Sequence, residues 1–149
     1  MKNKLVIGTI FLVSGLVVGN NLYNKVDLST IQVFNEKNNY YLLQEGVYSN
    51  KETMQSETRD LNPKVYEEKN GKYYVYVGIT GNKDNAEKIE NIYKESGFNI
   101  KINEINIKDE EFISNIKQLD ILIENTNNQD EILTIEEVVL SNYNKKILE

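Results

Sequence analysis

The sequence contains no cysteine, no histidine and no tryptophan, and it has a single proline among its 149 residues. The absence of cysteine excludes disulfides and thiolate metal sites. The absence of histidine removes the commonest general base and the commonest metal ligand. Because no serine-centred arrangement supplies a nucleophile instead, the sequence indicates a protein that is not an enzyme, with no catalytic residue, no metal site and no cofactor.

Basic charge is also scarce, with 17 Lys and Arg residues against 23 Asp and Glu residues and a net charge of −6. Lys2 and Lys4 are the only charged residues in the first 23, so the remainder has 15 basic and 23 acidic residues, or −8. Binding to a phosphate backbone requires a basic surface, which argues against nucleic acid as a partner. A neutral or weakly charged polymer such as a glycan stays compatible with this balance.

One apolar run occurs near the start of the chain, at residues 5–19, directly after Lys2 and Lys4. With the residues up to Tyr23 it approaches the ~20 residues that a membrane span requires. We interpret residues 1–23 as a retained transmembrane anchor of the cell membrane, with a cytoplasmic N-terminus and an extracytoplasmic remainder. A cleaved signal peptide is the rival interpretation, with Val17 and Gly19 as the small residues before the cleavage point.

Beyond a polar linker at residues 24–39, one pattern occurs twice. An aromatic-rich strand that begins at Tyr40 ends at Gly46, and a second that begins at Tyr73 ends at Gly78. In both copies an Asn-Lys-acid triplet follows four residues after the glycine, and a helical stretch follows the triplet. The repetition predicts two strand–helix units in tandem within one α+β domain at residues 40–103.

The remaining elements follow from turn and capping signals. We expect a strand at 40–47, a helix at 50–61, a hairpin of 64–68 with 72–79, a helix from Asn82 or Asp84 to Gly97, and a last strand that contains Phe98, Ile100 and Ile102. The order βαββαβ predicts a ferredoxin-like four-stranded antiparallel sheet with both helices on one face. The other face of this sheet is expected to be open.

The C-terminal region at residues 104–149 has a different pattern. Apolar residues recur at helical spacing over 109–124 and again over 129–148, with a polar break at 125–128. This spacing predicts an antiparallel helical hairpin. Its apolar side packs either on itself and the domain or against a partner or a second copy.

Strand alternation assigns candidate binding residues to the open face. If Leu43, Val75 and Val77 face the helices, four polar or aromatic side chains face outward, namely Tyr40, Gln44, Tyr74 and Tyr76. Aromatic rings offer flat apolar area to a sugar ring, and an amide both donates and accepts hydrogen bonds. The alternative is that these tyrosines serve only as good strand formers with cross-strand contacts.

The two motifs resemble SPOR domains. Gln44-x-Gly46-x-Tyr48 followed by Asn50-Lys51-Glu52 is similar to the first strand and helix start of that family, and residues 70–78 are similar to its second half. The resemblance covers about 65 residues and implies a non-catalytic module that binds peptidoglycan glycan strands, in a bitopic protein of cell division or sporulation. The chain departs from the family pattern at Glu45, Val47 and Tyr74, and a bulge or exposure is expected at Glu45 because burial of its charge would be costly.

Two other function classes stay open at this point. The first is an interaction module of a division or sporulation complex, which binds a protein through the open sheet or the acidic hairpin and has a degenerate glycan site. The second is an enzyme that uses two carboxylates. The acidic clusters, however, are interpreted as solvated turns and helix starts: Glu67 and Glu68, residues 109–111, and Glu136 with Glu137.

Overall fold

The computed structural model of the protein describes residues 39–147, with side chains up to Tyr143. This range contains β1 (Asn39–Tyr48), α1 (Lys51–Glu57), β2 (Val65–Lys69), β3 (Lys72–Thr80), α2 (Lys83–Glu95), β4 (Lys101–Asn106), α3 (Glu110–Glu124) and α4 (Gln129–Ile147). The predicted anchor at 1–23 and almost all of the linker at 24–39 lie outside the described residues. Between residues 39 and 147, no helix is both long enough and apolar enough to cross a membrane.

The four strands form one antiparallel sheet in the order β2–β3–β1–β4. With α1 after β1 and α2 after β3, this is the βαββαβ arrangement predicted from the sequence, and that prediction is confirmed. The turn between β2 and β3 is formed by Asn70 and Gly71, both in the left-handed region with φ of 55° and 69°. Two consecutive left-handed residues close a hairpin with the right twist, which explains the Asn-Gly pair at this position.

The pairing of β1 with β3 is interrupted twice around Gln44. Leu43 pairs with Gly78 and Gln44 pairs with Tyr76, so Val77 of β3 has no partner on β1. On the other side, Gly46 pairs with Val75, so Glu45 is the extra residue on β1. The bulge expected at Glu45 is therefore confirmed. The Glu45 carboxylate accepts hydrogen bonds from the Tyr48 hydroxyl at 2.8 and 3.0 Å, which satisfies the charge at the edge of the core.

Both helices that follow the repeated motif begin at the predicted asparagine. Asn50 Oδ1 accepts from the Thr53 N–H at 2.8 Å, and Asn82 Oδ1 accepts from the Asp84 N–H at 2.8 Å. Asn82, and not Asp84, is thus the cap of α2. The first helix ends at Glu57 rather than at residue 61, because the chain leaves helical geometry at Thr58.

The last strand begins at Lys101, three residues later than predicted. Phe98 and Ile100 lie before it and still pack on the helix-side core. The difference has a local cause, because the pairing of β1 with β4 ends at Gln44 and Lys101, next to the bulge at Glu45. Pairing partners for residues 98–100 are therefore missing.

One face of the sheet packs against α1 and α2, and we call it the helix face. Its central residues are Leu43, Val75 and Val77, none of which has exposed surface. The helices contribute the buried side chains of Met54, Ala86, Ile89, Ile92 and Tyr93, and Leu61 joins this core from the segment after α1. This core fixes the orientation of β1 and β3 and hence which side chains point to the opposite face.

The C-terminal hairpin forms as predicted from α3 and α4, and it packs on the domain. Ile123, Ile132 and Ile135 at its loop end join the helix-face core beside α2. The Lys88 ammonium of α2 donates to the backbone carbonyls of Ile123 and Thr126 at 3.1 and 3.3 Å, where α3 ends. A cation at a helix C-terminus is favourable, so Lys88 helps to hold the hairpin in place.

Candidate functional site

The four side chains predicted to bind a ligand lie on the side of the sheet opposite the helix face. Gln44 and Tyr76 are direct cross-strand partners on β1 and β3. Tyr74 lies further along β3, opposite Val47, and Tyr40 lies two same-side steps from Gln44 along β1. The structure thus brings all four onto one surface, which we call the tyrosine face.

The tyrosine face is not open, and that expectation from the sequence is wrong. Tyr40 is only 4% exposed and Tyr76 only 6% exposed. Both helices of the C-terminal hairpin pack over them, and the contact forms a second core from Tyr40, Leu42, Tyr76, Ile79, Phe112, Ile116, Val139 and Leu140. The reason is the hydrophobic effect: the apolar stripes of α3 and α4 need an apolar surface to cover, and this face supplies it.

The ring of Tyr76 is held by neighbours that belong to the protein itself. It lies edge-on to Tyr143 of α4 with ring centroids 6.1 Å apart, and Tyr143 stacks on Phe112 at 6.0 Å. The Tyr76 hydroxyl donates to the Glu67 carboxylate at 3.3 Å. Burial, reinforced by the nearby charge of Glu67, raises the pKa of Tyr76. With the hairpin in this position, Tyr76 has no ring face left for a sugar.

The other end of the tyrosine face is accessible. Gln44 and Tyr74 are both only partly buried there, and Val47 is 44% exposed. Two residues of β4 that the sequence did not single out complete this surface, since Lys101 pairs with Gln44 and Asn103 lies one same-side step further. We call Gln44, Val47, Tyr74, Lys101 and Asn103 the uncovered end.

The chemistry of the uncovered end suits a polar ligand with flat apolar patches. The Asn103 amide donates to Gln44 Oε1 at 3.4 Å, which leaves the Gln44 amide nitrogen as a donor and the Asn103 oxygen as an acceptor. Tyr74 and Val47 lie side by side as an apolar strip next to this pair. The predicted alternation of Phe98, Ile100 and Ile102 already assigns Asn103 to this side of β4, but nothing in the sequence indicated that Asn103 meets Gln44.

Two carboxylates lie buried where the hairpin meets the end of β3. Asp120 of α3 is 7% exposed, and it accepts from the Thr80 hydroxyl, from the Gly81 N–H at 2.8 Å and from the Asn85 amide at 3.2 Å. Glu136 of α4 has no exposed surface and accepts from the Ile79 N–H at 2.9 Å. The interpretation of Glu136 as a solvated residue is therefore wrong.

The environment of both acids opposes ionisation. Burial raises the pKa of Asp120 to about 6, although three hydrogen bonds act in the opposite direction. Burial also raises the pKa of Glu136, and the charge of Asp120 adds to this effect. The sequence carried a signal for both, because each acid lies within an apolar helical stripe: Asp120 between Ile116 and Ile123, and Glu136 between Ile132 and Val139.

These acids do not form an exposed catalytic pair, because helix α2, strand β3 and the hairpin enclose them. Glu136 Oε1 and Asn85 Oδ1 have no hydrogen-bond partner and no access to solvent. Within residues 39–147, no cluster of three or more potential ligands is arranged to hold a metal ion. Their hydrogen bonds to the end of β3 indicate a role in fixing the hairpin against the sheet.

Comparison with known proteins gives one structural likeness. The solution structure of the peptidoglycan-binding domain of the B. subtilis cell wall lytic enzyme CwlC matches with 22% sequence identity and a TM-score of 0.42. The match covers 50% of this chain and 100% of that domain. No protein-family model matches the chain, and it has no match among curated proteins.

Proposed function

We propose that this protein binds the glycan strands of peptidoglycan through the tyrosine face, without catalysing a reaction on them. The observation that carries the proposal is the position of the SPOR-like motifs on the sheet. Gln44, the glutamine of the first motif, lies at the uncovered end and pairs with Tyr76, and Tyr74 of the second motif lies one same-side step further along β3. An amide next to an aromatic ring is a suitable pair for an N-acetylated sugar, since one binds the acetamido group and the other the apolar side of the ring.

The charge of the chain agrees with this ligand class. The uncovered end carries a single cation, Lys101, which is too little for a phosphate polymer but compatible with a glycan. We further propose that the apolar run at residues 5–19 anchors the protein in the cell membrane, with the domain on the outer side next to the wall. The basic residues Lys2 and Lys4 before this run support that orientation.

Sedimentation with purified cell-wall sacculi tests the proposal. The protein from residue 24 onward is incubated with sacculi before and after an amidase has removed the stem peptides, and we expect more binding after the treatment. Gln44→Ala should weaken binding about tenfold, which is the loss expected for one to two hydrogen bonds. Gln55→Ala is the matched control, because Gln55 is exposed on α1, on the opposite side of the sheet. If neither form of sacculus binds the protein, the proposal is wrong.

A second candidate is an interaction module of a division or sporulation complex. The observation in its favour is Val138, which is 42% exposed on the outer side of α4, away from the sheet. Val138→Lys should abolish targeting of a fluorescent fusion while sacculus binding stays intact, if this candidate is correct. Gln55→Lys serves as the control, because Gln55 is exposed on a different helix, α1.

A further inference from the structure

The C-terminal hairpin divides into two parts with different attachments. Its loop end is part of the helix-face core through Ile123 and Ile132 and is held by Lys88. Its other end lies over the tyrosine face, where Phe112 and Leu140 bury Tyr40 and Tyr76. The two ends of the hairpin are therefore held by separate sets of contacts.

The border between these two parts is formed by the buried acids. Asp120 binds the Gly81 N–H and the Thr80 hydroxyl, and Glu136 binds the Ile79 N–H, so each helix of the hairpin meets the same end of β3 through one carboxylate. β2 pairs with β3 only as far as Tyr76, which leaves the Ile79 N–H without a strand partner on that side. The two carboxylates thus take the place of a missing strand.

Among the described residues, the charges that act on these two acids are negative. Beyond the effect of burial, the charge of Glu124 on α3 raises the pKa of Asp120, and the charge of Asp120 raises the pKa of Glu136. The two acids in turn add to the rise in the pKa of Tyr40 on β1 and of Tyr93 on α2. Neither acid takes part in an ion pair of the described residues. Ionisation therefore places uncompensated negative charge in the buried contact, which costs free energy.

We propose that the C-terminal hairpin is a pH-responsive cover of the glycan site, which when closed confines the ligand to the uncovered end and when lifted exposes Tyr40 and Tyr76 to a longer glycan strand. The inference rests on the proposed function for the identity of the ligand. The direction follows from proton linkage: the closed state binds more protons than the lifted state, so acid closes the cover and rising pH opens it.

The change in the ratio of lifted to closed molecules with pH can be calculated from the pKa of Asp120. Its pKa moves from an ordinary 3.8 to about 6 in the closed state. If the lifted state returns the carboxyl to water, the ratio of lifted to closed molecules rises about tenfold between pH 5 and pH 7.5. Glu136 acts in the same direction, because burial also raises its pKa.

Cysteine accessibility measures the opening directly, since the chain has no cysteine of its own. Val139→Cys places a thiol under the cover, at a residue 2% exposed, and Ser141→Cys places one on the exposed side of the same helix. The ratio of the two labelling rates cancels the intrinsic titration of a thiol. We expect this ratio to rise about tenfold from pH 5 to pH 7.5, and to stay flat when Asp120→Asn and Glu136→Gln are added.

If a cysteine variant does not fold, the hydrogen-exchange protection factors of the α4 amides in the unaltered chain provide the second measurement, because they are corrected for the intrinsic exchange rate at each pH. A pH-independent labelling ratio together with pH-independent protection factors would overturn the proposal. Sacculus binding is measured in parallel, and the unaltered chain should bind more strongly at pH 7.5 than at pH 5. The double variant, fixed in the neutral form, should bind weakly at both pH values.

The outcomes distinguish a failure of the proposed glycan binding from a failure of the proposed pH-responsive cover. If labelling follows pH while the chain binds no sacculi at any pH, the proposed function fails and the movement of the hairpin stands. If labelling follows pH and sacculus binding is the same at pH 5 and pH 7.5, the hairpin moves but does not control the site, which overturns the cover.

Discussion

The free energy of unfolding of this protein should fall as the pH rises from 4 to 8, a range in which most proteins are close to their maximum stability. Asp120 has an ordinary pKa of 3.8 and a pKa of about 6 in the folded protein. Because the folded value is the higher one, the stabilisation is complete below pH 3.8 and is lost as the pH rises through 6. A pKa difference of this size corresponds to about 3 kcal/mol in total.

The assay is urea unfolding followed by far-ultraviolet circular dichroism between pH 4 and pH 8. Asp120 alone should lower the free energy of unfolding by about 2.5 kcal/mol over this range, and Glu136 should add to the fall. Asp120→Asn removes the titrating group, and the Asn oxygen can still accept from the Gly81 N–H. This variant should therefore show a shallower pH dependence than the unaltered chain.

Asp60→Asn provides the matched control, because it makes the same change of residue type at an exposed position outside the buried contact. Stability that is constant or rises between pH 5 and pH 7.5 would refute the reasoning. So would an Asp120→Asn profile with the same slope as that of the unaltered chain. Either result would mean that water reaches the carboxyl in the folded state and relieves the cost of its charge.

Three further predictions concern single side chains. Tyr74→Ala should weaken sacculus binding several-fold, whereas Tyr66→Ala on the helix side of the sheet should not; equal losses would contradict a site at the uncovered end. Lys88→Gln should lower the thermal midpoint by about 5 °C, since it removes the cation at the end of α3, and an unchanged melting curve would exclude this role. Gly71→Ala should cost about 1 kcal/mol in urea unfolding, because its φ of 69° disfavours a side chain; no loss would show that the turn adapts.

The elements of the sheet could be predicted from the sequence because their signals are local. The Asn-Gly turn, the asparagine caps and the alternation of Tyr74 and Tyr76 with Val75 and Val77 each depend on a few neighbouring residues, and each agrees with the structure. The bulge or exposure expected at Glu45 depended instead on the resemblance to SPOR domains, which implies a core-facing residue at this position, and the structure shows the bulge.

The coverage of the tyrosine face could not be predicted in this way. The stripes of α3 and α4 show that these helices bury something, but a stripe does not say which surface it covers. Ile79 shows that even alternation within one strand can fail. Simple alternation from Val77 assigns Ile79 to the helix face. Because Val77 has no partner on β1, the register shifts by one residue and Ile79 faces the tyrosine face instead. Asp120 and Glu136 are buried by the same long-range contact, the packing of the hairpin against the sheet, so their burial could not be predicted either.

The short length of β2 has a consequence for truncated forms of the protein. Beyond Tyr76, the outer edge of β3 is a row of backbone groups that a strand from another molecule could join, and the Glu136 carboxylate occupies the Ile79 N–H in that row. A chain truncated before α3 would lose this carboxylate and would expose both an unpaired strand edge and an apolar surface. We expect such a fragment to self-associate by edge-to-edge pairing, which the hairpin would oppose in the longer chain because it occupies this edge.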